Sequence, residues 1–508
     1  MSTIIRISQS LNAVNPERKA PERRWPDLLL KKRWMALLGA LLALSAPGFG
    51  CWILAWLALI PALLWVNRQQ SWRQVFGGGF WLGAVFQGLY CIWFFDLHPL
   101  TWLGFTEWGS RLTTLAGWLL ITTEGGMLTG LILTAYLRVR HPVCRCILFP
   151  LLWVGGFWLL QATPMALPWA LLEYTQVDLP VMREVAGWIG TSGLVILLTL
   201  HAALWVELWS GGRYRKAIVG PLLLPGLIWL AGLVFDERDE KPFPLPVSAI
   251  QANLPIELIR SARMTETVAE SAYLDPVKEA NLPVGTLVVY PEEGVVPDVV
   301  YQSRPFENSM MLKLWQLATL KRLYVLVGVT CRDEWGHLYN GMALLSPESK
   351  VVQFYHKRKL VPFGEFTPYG LGDFVEELLG HWRVAYSAPF SGGHGAPLLK
   401  INNIPAGVLI CFELIDASPV SGGFAGEYRR KGAEILLNAS NLGWFHQNPF
   451  MEAQFLAIAR MRAAENRLPM VVSSNTGISA LIASNGTVLA RTQPFSKQAS
   501  GTQIIFHP

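Results

Sequence analysis

The sequence predicts two parts of different class: a multi-span α-helical membrane domain, then an α/β sandwich with sheets inside and helices outside. Three observations predict it. The 508 residues are 52% hydrophobic and 15% charged, with mean hydropathy +0.33, too apolar for an ordinary soluble chain and too polar for a pure transporter. That average hides an asymmetry: residues 1–235 hold almost all the long apolar runs, whereas 236–508 have the mixed composition of a domain able to build a full core. From Val247 onward, short β-rich runs alternate with runs of helical periodicity, the pattern of stacked sheets and helices.

Residues 1–33 form a basic segment, and 34–235 the membrane domain. Its apolar runs fall at 34–49, 51–66, 75–95, 112–137, 146–160, 185–208 and 217–235, each near the length a bilayer requires. The first two are short and share the break "APGFG", which also suits a helical hairpin. Lys and Arg in the loops set the orientation. Sixteen lie before the first run and between the second and third, fourth and fifth, and sixth and seventh; the intervening loops hold only Arg111 and Arg183. The N-terminus is therefore expected in the cytoplasm, and everything beyond Asp236 across the membrane. The +6 net charge is then mostly topology rather than a nucleic-acid footprint. No cleavable signal peptide is expected, because the apolar run starts late and continues into a multi-span pattern.

Within these runs Glu124, in "ITTEGGMLTG", is costly to bury; it reads as functional, as lying near a span end, or as hydrogen-bonded inside the bundle. The neighbouring Gly126-x-x-x-Gly130 reads as helix packing. Trp25, Trp169 and Trp209 read as interfacial anchors.

Residues 236–246, "DERDEKPFPLP", are the linker, and 247–508 the exported domain. "VSAIQANLP", "TLVVYPEEG", "LYVLVGVTC", "YNGMALLS", "KVVQFYHKR", "PAGVLICFE", "AEILLNAS", "LPMVVSSNT", "SALIAS" and "GTQIIFHP" read as strands. Residues 256–280, 305–320, 422–431 and 448–466 read as helices.

Six cysteines, with no CxxC pair, exclude a disulfide scaffold and a zinc site. Cys51, Cys91, Cys144 and Cys146 belong to the membrane half, the last two inert or at most acylated. Cys331 and Cys411 belong to the exported half, either as a disulfide or as free thiols.

Three strands end in a reactive side chain: "LVVYPEEG" in Glu292 and Glu293, "QFYHKRKLVPFGE" in Lys357, Lys359 and Glu365, "GVLICFE" in Cys411 and Glu413. A buried strand that stops at a polar residue holds a catalytic group rigidly. A thiol becomes nucleophilic where a base or a positive field favours the thiolate. A carboxylate can take its proton, and a lysine can stabilise the oxyanion formed on a carbonyl carbon. Each residue also has a plainer reading: Cys411 as a small buried hydrophobe, Lys357 as part of a basic surface patch "HKRK", Glu365 as a structural ion-pair partner.

Glu, Lys and Cys in this order at strand ends resemble the nitrilase, or carbon–nitrogen hydrolase, superfamily, whose fold is an αββα sandwich. The longer phrases resemble its apolipoprotein N-acyltransferase branch. They are "RWMALLGALLALSAPGFGCWILAWLALIPALLWV", "IQANLP", "YHKRKLVPFGEFTP", "LICFE", "NASNLGWF", "IARMRAAE" and "SNTGIS", spread nearly end to end. The resemblance implies Glu292 as general base, Lys357 as oxyanion stabiliser and Cys411 as the nucleophile that becomes a thioester. It implies Glu365 as an accessory carboxylate, Asn340 in "YNG" as a supporting amide and Glu413 as a further supporting acid, with Phe412, Asn441 and Trp444 toward substrate. It implies two steps: an acyl chain passes from a membrane phospholipid to Cys411, then to the α-amine of a lipoprotein's diacylglyceryl-cysteine. The partners implied are the phospholipid donor, the apolipoprotein acceptor and the bacterial inner membrane, with a periplasmic catalytic domain, no nucleic acid, no cofactor and no metal.

The chain departs from the branch in places. "PEEGVVP" carries a second acid, leaving Glu293 as a rival base, and Phe412 stands where the branch prefers tyrosine. Leu442 replaces a common aspartate and Val472 a common arginine; "WVGGFWLLQ" lacks an expected glutamate and arginine. The branch closes with an eighth span, whereas this sequence stops at "IIFHP", which would leave its C-terminus outside. These departures keep open an amidase or conjugation-associated protein with another acceptor, and a non-enzymatic scaffold.

Overall fold

The computed structural model describes residues 33–161, 169–211, 245–366, 390–417, 422–494 and 502–506, with isolated positions between them. The basic segment before Arg33, the seventh apolar run and most of the linker lie outside the described residues.

Helix α1 (Arg33–Ala43) is followed by two short pieces, Ile53–Leu57 and α2 (Leu59–Val66). The first two apolar runs form short helices joined as a hairpin, the alternative that the "APGFG" break allowed, with Gly48 and Gly50 at positive φ in the turn between the arms. Next come α3 (Trp72–Tyr90), α4 (Glu107–Arg138), α5 (Pro142–Gln161) and α6 (Pro180–Ser210). Among the described residues, α4, α5 and α6 are long and apolar enough to cross a membrane. The α3–α4 pair is close-packed. Cβ atoms built on Gly126 and Gly130 would stand 2.9 Å from the carbonyl oxygens of Phe80 and Phe76, so this small-residue motif does serve helix packing.

The C-terminal part holds two sheets. In one the order is β13 (Thr502–Phe506), β1 (Val247–Gln251), β2 (Leu287–Val289), β4 (Tyr324–Arg332), β5 (Leu338–Ser346), β6 (Ser349–His356), with β3 (Val300–Tyr301) beside β4. In the other it is β12 (Val488–Arg491), β11 (Ala480–Ile482), β10 (Met470–Ser474), β9 (Ile435–Ser440), β8 (Ile404–Ile410), β7 (Leu399–Ile401). All ten sequence-predicted strands are present; β3, β7 and β12, of two to four residues, are too short to leave a periodic trace.

Strand alternation builds the layers. Val247 and Ala249 face the second sheet, whereas Ile250 and Val288 face outward onto α7 (Ser309–Lys321) and the 266–279 helical segment. The predicted helix at 256–280 is corrected to short pieces, Ile256–Ile259 and then 266–279 with a π turn at its centre. The second sheet is covered by α8 (Gly423–Arg430) and α9 (Pro449–Asn466). Ser473 sits between the sheets, its Oγ 3.0 Å from Ile250 O and 2.9 Å from Val289 O.

Helix α9 also joins the two halves of the chain. The Gln454 side chain accepts from the indoles of Trp93 (2.9 Å) and Trp169 (2.6 Å) and donates to Tyr90 O (3.0 Å). At the other end, Gly190 breaks α6 with φ 73°, a conformation glycine alone adopts readily. The freed amide of Thr191 and its hydroxyl both reach Glu465 Oε1 at 2.9 Å. Trp169 is thus buried inside this joint rather than lying at an interface.

Gln454→Leu removes the acceptor of two buried indole N–H groups, each worth about 1–3 kcal/mol when orphaned. The variant is expected to melt several degrees below the parent in detergent, followed by intrinsic fluorescence.

Candidate active site

Strands β2 and β8 run parallel to β4 and β9 and deliver their side chains at their carboxyl ends, where crevices open in layered α/β structures. Beyond β2 the chain turns at Pro291 and presents Glu292. Gly328 on β4 makes that possible, since a Cβ there would stand 2.2 Å from Glu292 O. Strand β6 ends one residue before Lys357, whose amide donates to Asn340 O at 2.8 Å. Strand β8 ends at Ile410, and Cys411 opens a 3-10 turn (Cys411–Ile415).

These side chains meet. Lys357 Nζ donates to Glu292 Oε1 at 2.8 Å and to Glu365 Oε1 at 2.9 Å. Asn340 Nδ2 donates to the same two oxygens at 2.9 and 2.6 Å. The second oxygen of Glu365 accepts the Val361 amide at 2.8 Å. Lys357 is 1% exposed, and Glu292, Glu365 and Asn340 are nearly as buried. The half-buried Cys411 thiol lies close enough to Glu292 and Lys357 to feel both of their charges.

Burial works on every charge here. It alone would lower the Lys357 pKa, but Glu292 and Glu365 outweigh it and hold the ammonium well above its ordinary value. Burial raises the Glu292 carboxyl above 4.5, opposed by Lys357 and reinforced by Glu293 and Glu365. Burial and the Glu292 charge push the Cys411 thiol well up, while Lys357 pulls it down. The resting state is accordingly a thiol beside a carboxylate of raised basicity, with an ammonium fixed beyond it.

Glu293 points elsewhere: its carboxylate accepts from Arg260 at 2.6 Å. Glu413 is 1% exposed and accepts from Tyr355 Oη at 2.8 Å, the amides of Arg358 at 2.6 Å, Lys359 at 3.3 Å and Ile410 at 2.8 Å. It ties the strand carrying Lys357 to the turn carrying Cys411. Lys359 is paired with Asp416 at 2.9 Å and lies over the Phe412 ring at 5.7 Å, outside the carboxylate cluster.

The three residues expected toward substrate separate. Phe412 is buried under Lys359, and Asn441 is buried with its Oδ1 accepting from Gly443 N (3.1 Å) and Asn475 Nδ2 (3.2 Å). Trp444 is half-buried at an apolar mouth, edge-on to Trp102 at 4.7 Å, with Leu100, Leu103, Phe105 and Phe363 beside it. The 97–105 loop of that mouth comes from the membrane half, and sequence reading missed it because its contacts lie hundreds of residues away. Arg260 was missed because its partner Glu293 is 33 residues away, beyond any local pattern, whereas Tyr355 was readable: two residues before Lys357, it shares that residue's strand face. Cys331 and Cys411 are both free, so no disulfide joins them.

Lys357→Met should slow alkylation of Cys411 by iodoacetamide roughly tenfold at fixed pH and shift the rate profile to higher pH. Glu293→Gln should leave that profile in place.

Residues 38–204 match the family model described as the apolipoprotein N-acyltransferase N-terminal domain, and 279–505 that described as carbon–nitrogen hydrolase. The apolipoprotein N-acyltransferase of Geobacter metallireducens is 30% identical over 496 residues, covering 92% of this chain and 88% of that protein. The one from Gloeobacter violaceus is 28% identical over 457 residues, covering 87% and 82%. Among solved structures, Nit3 of Saccharomyces cerevisiae, a member of branch 10 of the nitrilase superfamily, aligns over 52% of this chain and 90% of that chain, at 18% identity and a TM-score of 0.38. With both halves matched and about nine-tenths of the chain aligned to such relatives, the chain belongs to the apolipoprotein N-acyltransferase family, membrane-associated acyltransferases of the carbon–nitrogen hydrolase superfamily.

Proposed function

We propose that this protein moves a fatty acyl chain from a membrane phospholipid to the N-terminal diacylglyceryl-cysteine of a lipoprotein, through a thioester on Cys411. The observation that carries the reading is a thiol, Cys411, within the fields of a buried carboxylate and of the buried ammonium hydrogen-bonded to it. In the first step Glu292 takes the thiol proton as Sγ attacks the ester carbonyl. Lys357 holds the developing oxyanion. The carbon–oxygen bond to glycerol breaks, and Glu292 returns the proton to the departing lysophospholipid oxygen.

In the second step the lipoprotein's α-amine attacks the thioester. Glu292 takes the amine proton, the carbon–sulfur bond breaks, and the proton goes back to Sγ. Glu365 and Asn340 keep Lys357 and Glu292 in register across both steps, and Glu413 fixes the distance between the two strands. The apolar mouth around Trp102 and Trp444 supplies a surface for both lipid substrates. By the Lys and Arg distribution, the N-terminus is cytoplasmic and the domain beginning near Val247 periplasmic.

The test is direct. Purified protein given phospholipid is expected to gain one acyl mass on Cys411 by intact mass spectrometry, and to lose it on addition of a diacylated lipopeptide. An adduct that only hydrolyses would move the reading to an amidase-like enzyme, and no adduct would overturn it. Glu292→Gln should cut acylation by about 10²–10⁴-fold. Because burial raises the base, activity should fall on its acid side through a pKa above 4.5, and Glu293→Gln should not move that limb.

A further inference from the structure

A guanidinium stands at the rim of the apolar mouth. Arg260 follows the short helical piece Ile256–Ile259. Its Nη2 donates to Glu293 Oε1 at 2.6 Å, and its Cζ lies 5.9 Å from the centre of the Trp102 ring. Trp102 in turn meets Trp444 edge-on at 4.7 Å. Glu293 is the residue next to the base Glu292. The cation therefore lies between the turn that carries the base and the aromatic pair that frames the mouth.

Neighbouring charges give this position its meaning. In the buried cluster Lys357 faces two carboxylates, Glu292 and Glu365, which leaves an excess of negative charge behind the mouth. An anionic group brought there by apolar chains would be repelled unless a cation met it first. The basic residues that follow Lys357 are turned elsewhere: Arg358 pairs with Glu427 at 2.8 Å and Lys359 with Asp416 at 2.9 Å. Glu257, on the same helical piece as Arg260, meets His446 at 3.2 Å instead. The Arg260 side chain is 11% exposed and that of Glu293 14%, shielded enough to strengthen an ionic contact and open enough to admit one. A guanidinium is a planar fork, and it can serve a carboxylate along one edge and a phosphate along another.

We propose that Arg260, shared with Glu293, binds the phosphate of the phospholipid donor, while the donor's chains lie along Leu100, Leu103, Phe105, Phe363 and Trp444. The mouth then matches its ligand end for end: an aromatic and aliphatic wall for the chains, and a cation where that wall meets the catalytic turn. With its charge over Trp102, one side chain touches both the apolar wall and the lipid's anionic group. The assignment rests on the reading of a phospholipid as acyl donor and names the group that holds its charged end.

The experiment uses the full-length Cys411→Ala protein, which cannot turn over. Phosphatidylglycerol and diacylglycerol with identical chains differ by the phosphate-bearing head and carry no amine. Their retention is measured by native mass spectrometry across lipid concentration. Phosphatidylglycerol is expected to be held at about tenfold lower concentration, the scale of one charged hydrogen bond. Arg260→Gln should remove that preference, and Arg260→Lys, which keeps the charge but not the fork, should keep part of it. Glu293→Gln, which removes the competing carboxylate, should tighten phosphatidylglycerol several-fold. Equal retention of the two lipids by the protein with Arg260, an equal loss of both in Arg260→Gln, or weaker phosphatidylglycerol retention in Glu293→Gln would overturn the proposal. Displacement of phosphatidylglycerol by inorganic phosphate as readily as by a second phospholipid would assign Arg260 to a free anion and overturn the lipid assignment. In the Cys411 protein, Arg260→Gln should raise KM for the phospholipid and spare kcat. Absence of any acyl adduct there would count against the catalytic reading alone, because lipid retention is read without chemistry.

Discussion

One ammonium, sealed from water between two carboxylates, governs the C-terminal domain. Lys357 cannot be buried alone: an uncompensated charge at that depth would cost several kcal/mol, and removing one member of such a pair typically costs 3–5 kcal/mol. Two acids around a single cation leave the cluster with an excess of negative charge. Burial first, and then the neighbouring acids, lift Glu292 toward a useful basicity while the ammonium stays charged. Asn340 completes the arrangement by donating to both acids, so that neither can rotate away. Four segments must arrive together to make it: the ends of β2 and β6, the start of β5, and the loop through Glu365. Ser473 between the sheets and Glu413 between β6 and the Cys411 turn both hold that convergence.

A second constraint couples this cluster to the membrane helices. Helix α9 buries one face on the second sheet and another on the helices below, so the hydrophobic core is continuous from α1 to β10. Polar ties mark both ends of the joint, Gln454 with Trp93 and Trp169, Glu465 with Thr191. A loop of the membrane half, 97–105, reaches up to the mouth of the site.

Much of this was legible in the sequence, and the limits have physical reasons. The long spans and ten strands announce themselves through length and periodicity, which are local. Glu292, Lys357 and Cys411 were legible because each follows an apolar run, which is where a strand leaves the sheet, whereas Asn340, near the start of β5, was reached only through the resemblance. Whether Glu292 or Glu293 turns inward was not, since adjacent residues differ only by which way the chain bends; Arg260, some thirty residues earlier, holds Glu293 aside. The short arms of the first hairpin were half legible, in the "APGFG" break. The broken 256–279 segment was not, because its π turn leaves helical composition intact. Trp102 at the mouth could not be paired with Trp444 from sequence, since their proximity arises only when the two halves dock. Phe412 and Asn441 sit in the right turns but face inward, a distinction of side-chain direction that residue type does not encode.

The backbone at Cys411 has φ 46°, in the left-handed region that a side chain with a Cβ occupies only at a cost of about 1–3 kcal/mol. Glycine would relax there. Selection for a sturdier fold and selection for a reactive sulfur therefore pull this position in opposite directions. A lineage released from the need for the thiol would gain stability by losing it, and would have little to draw it back.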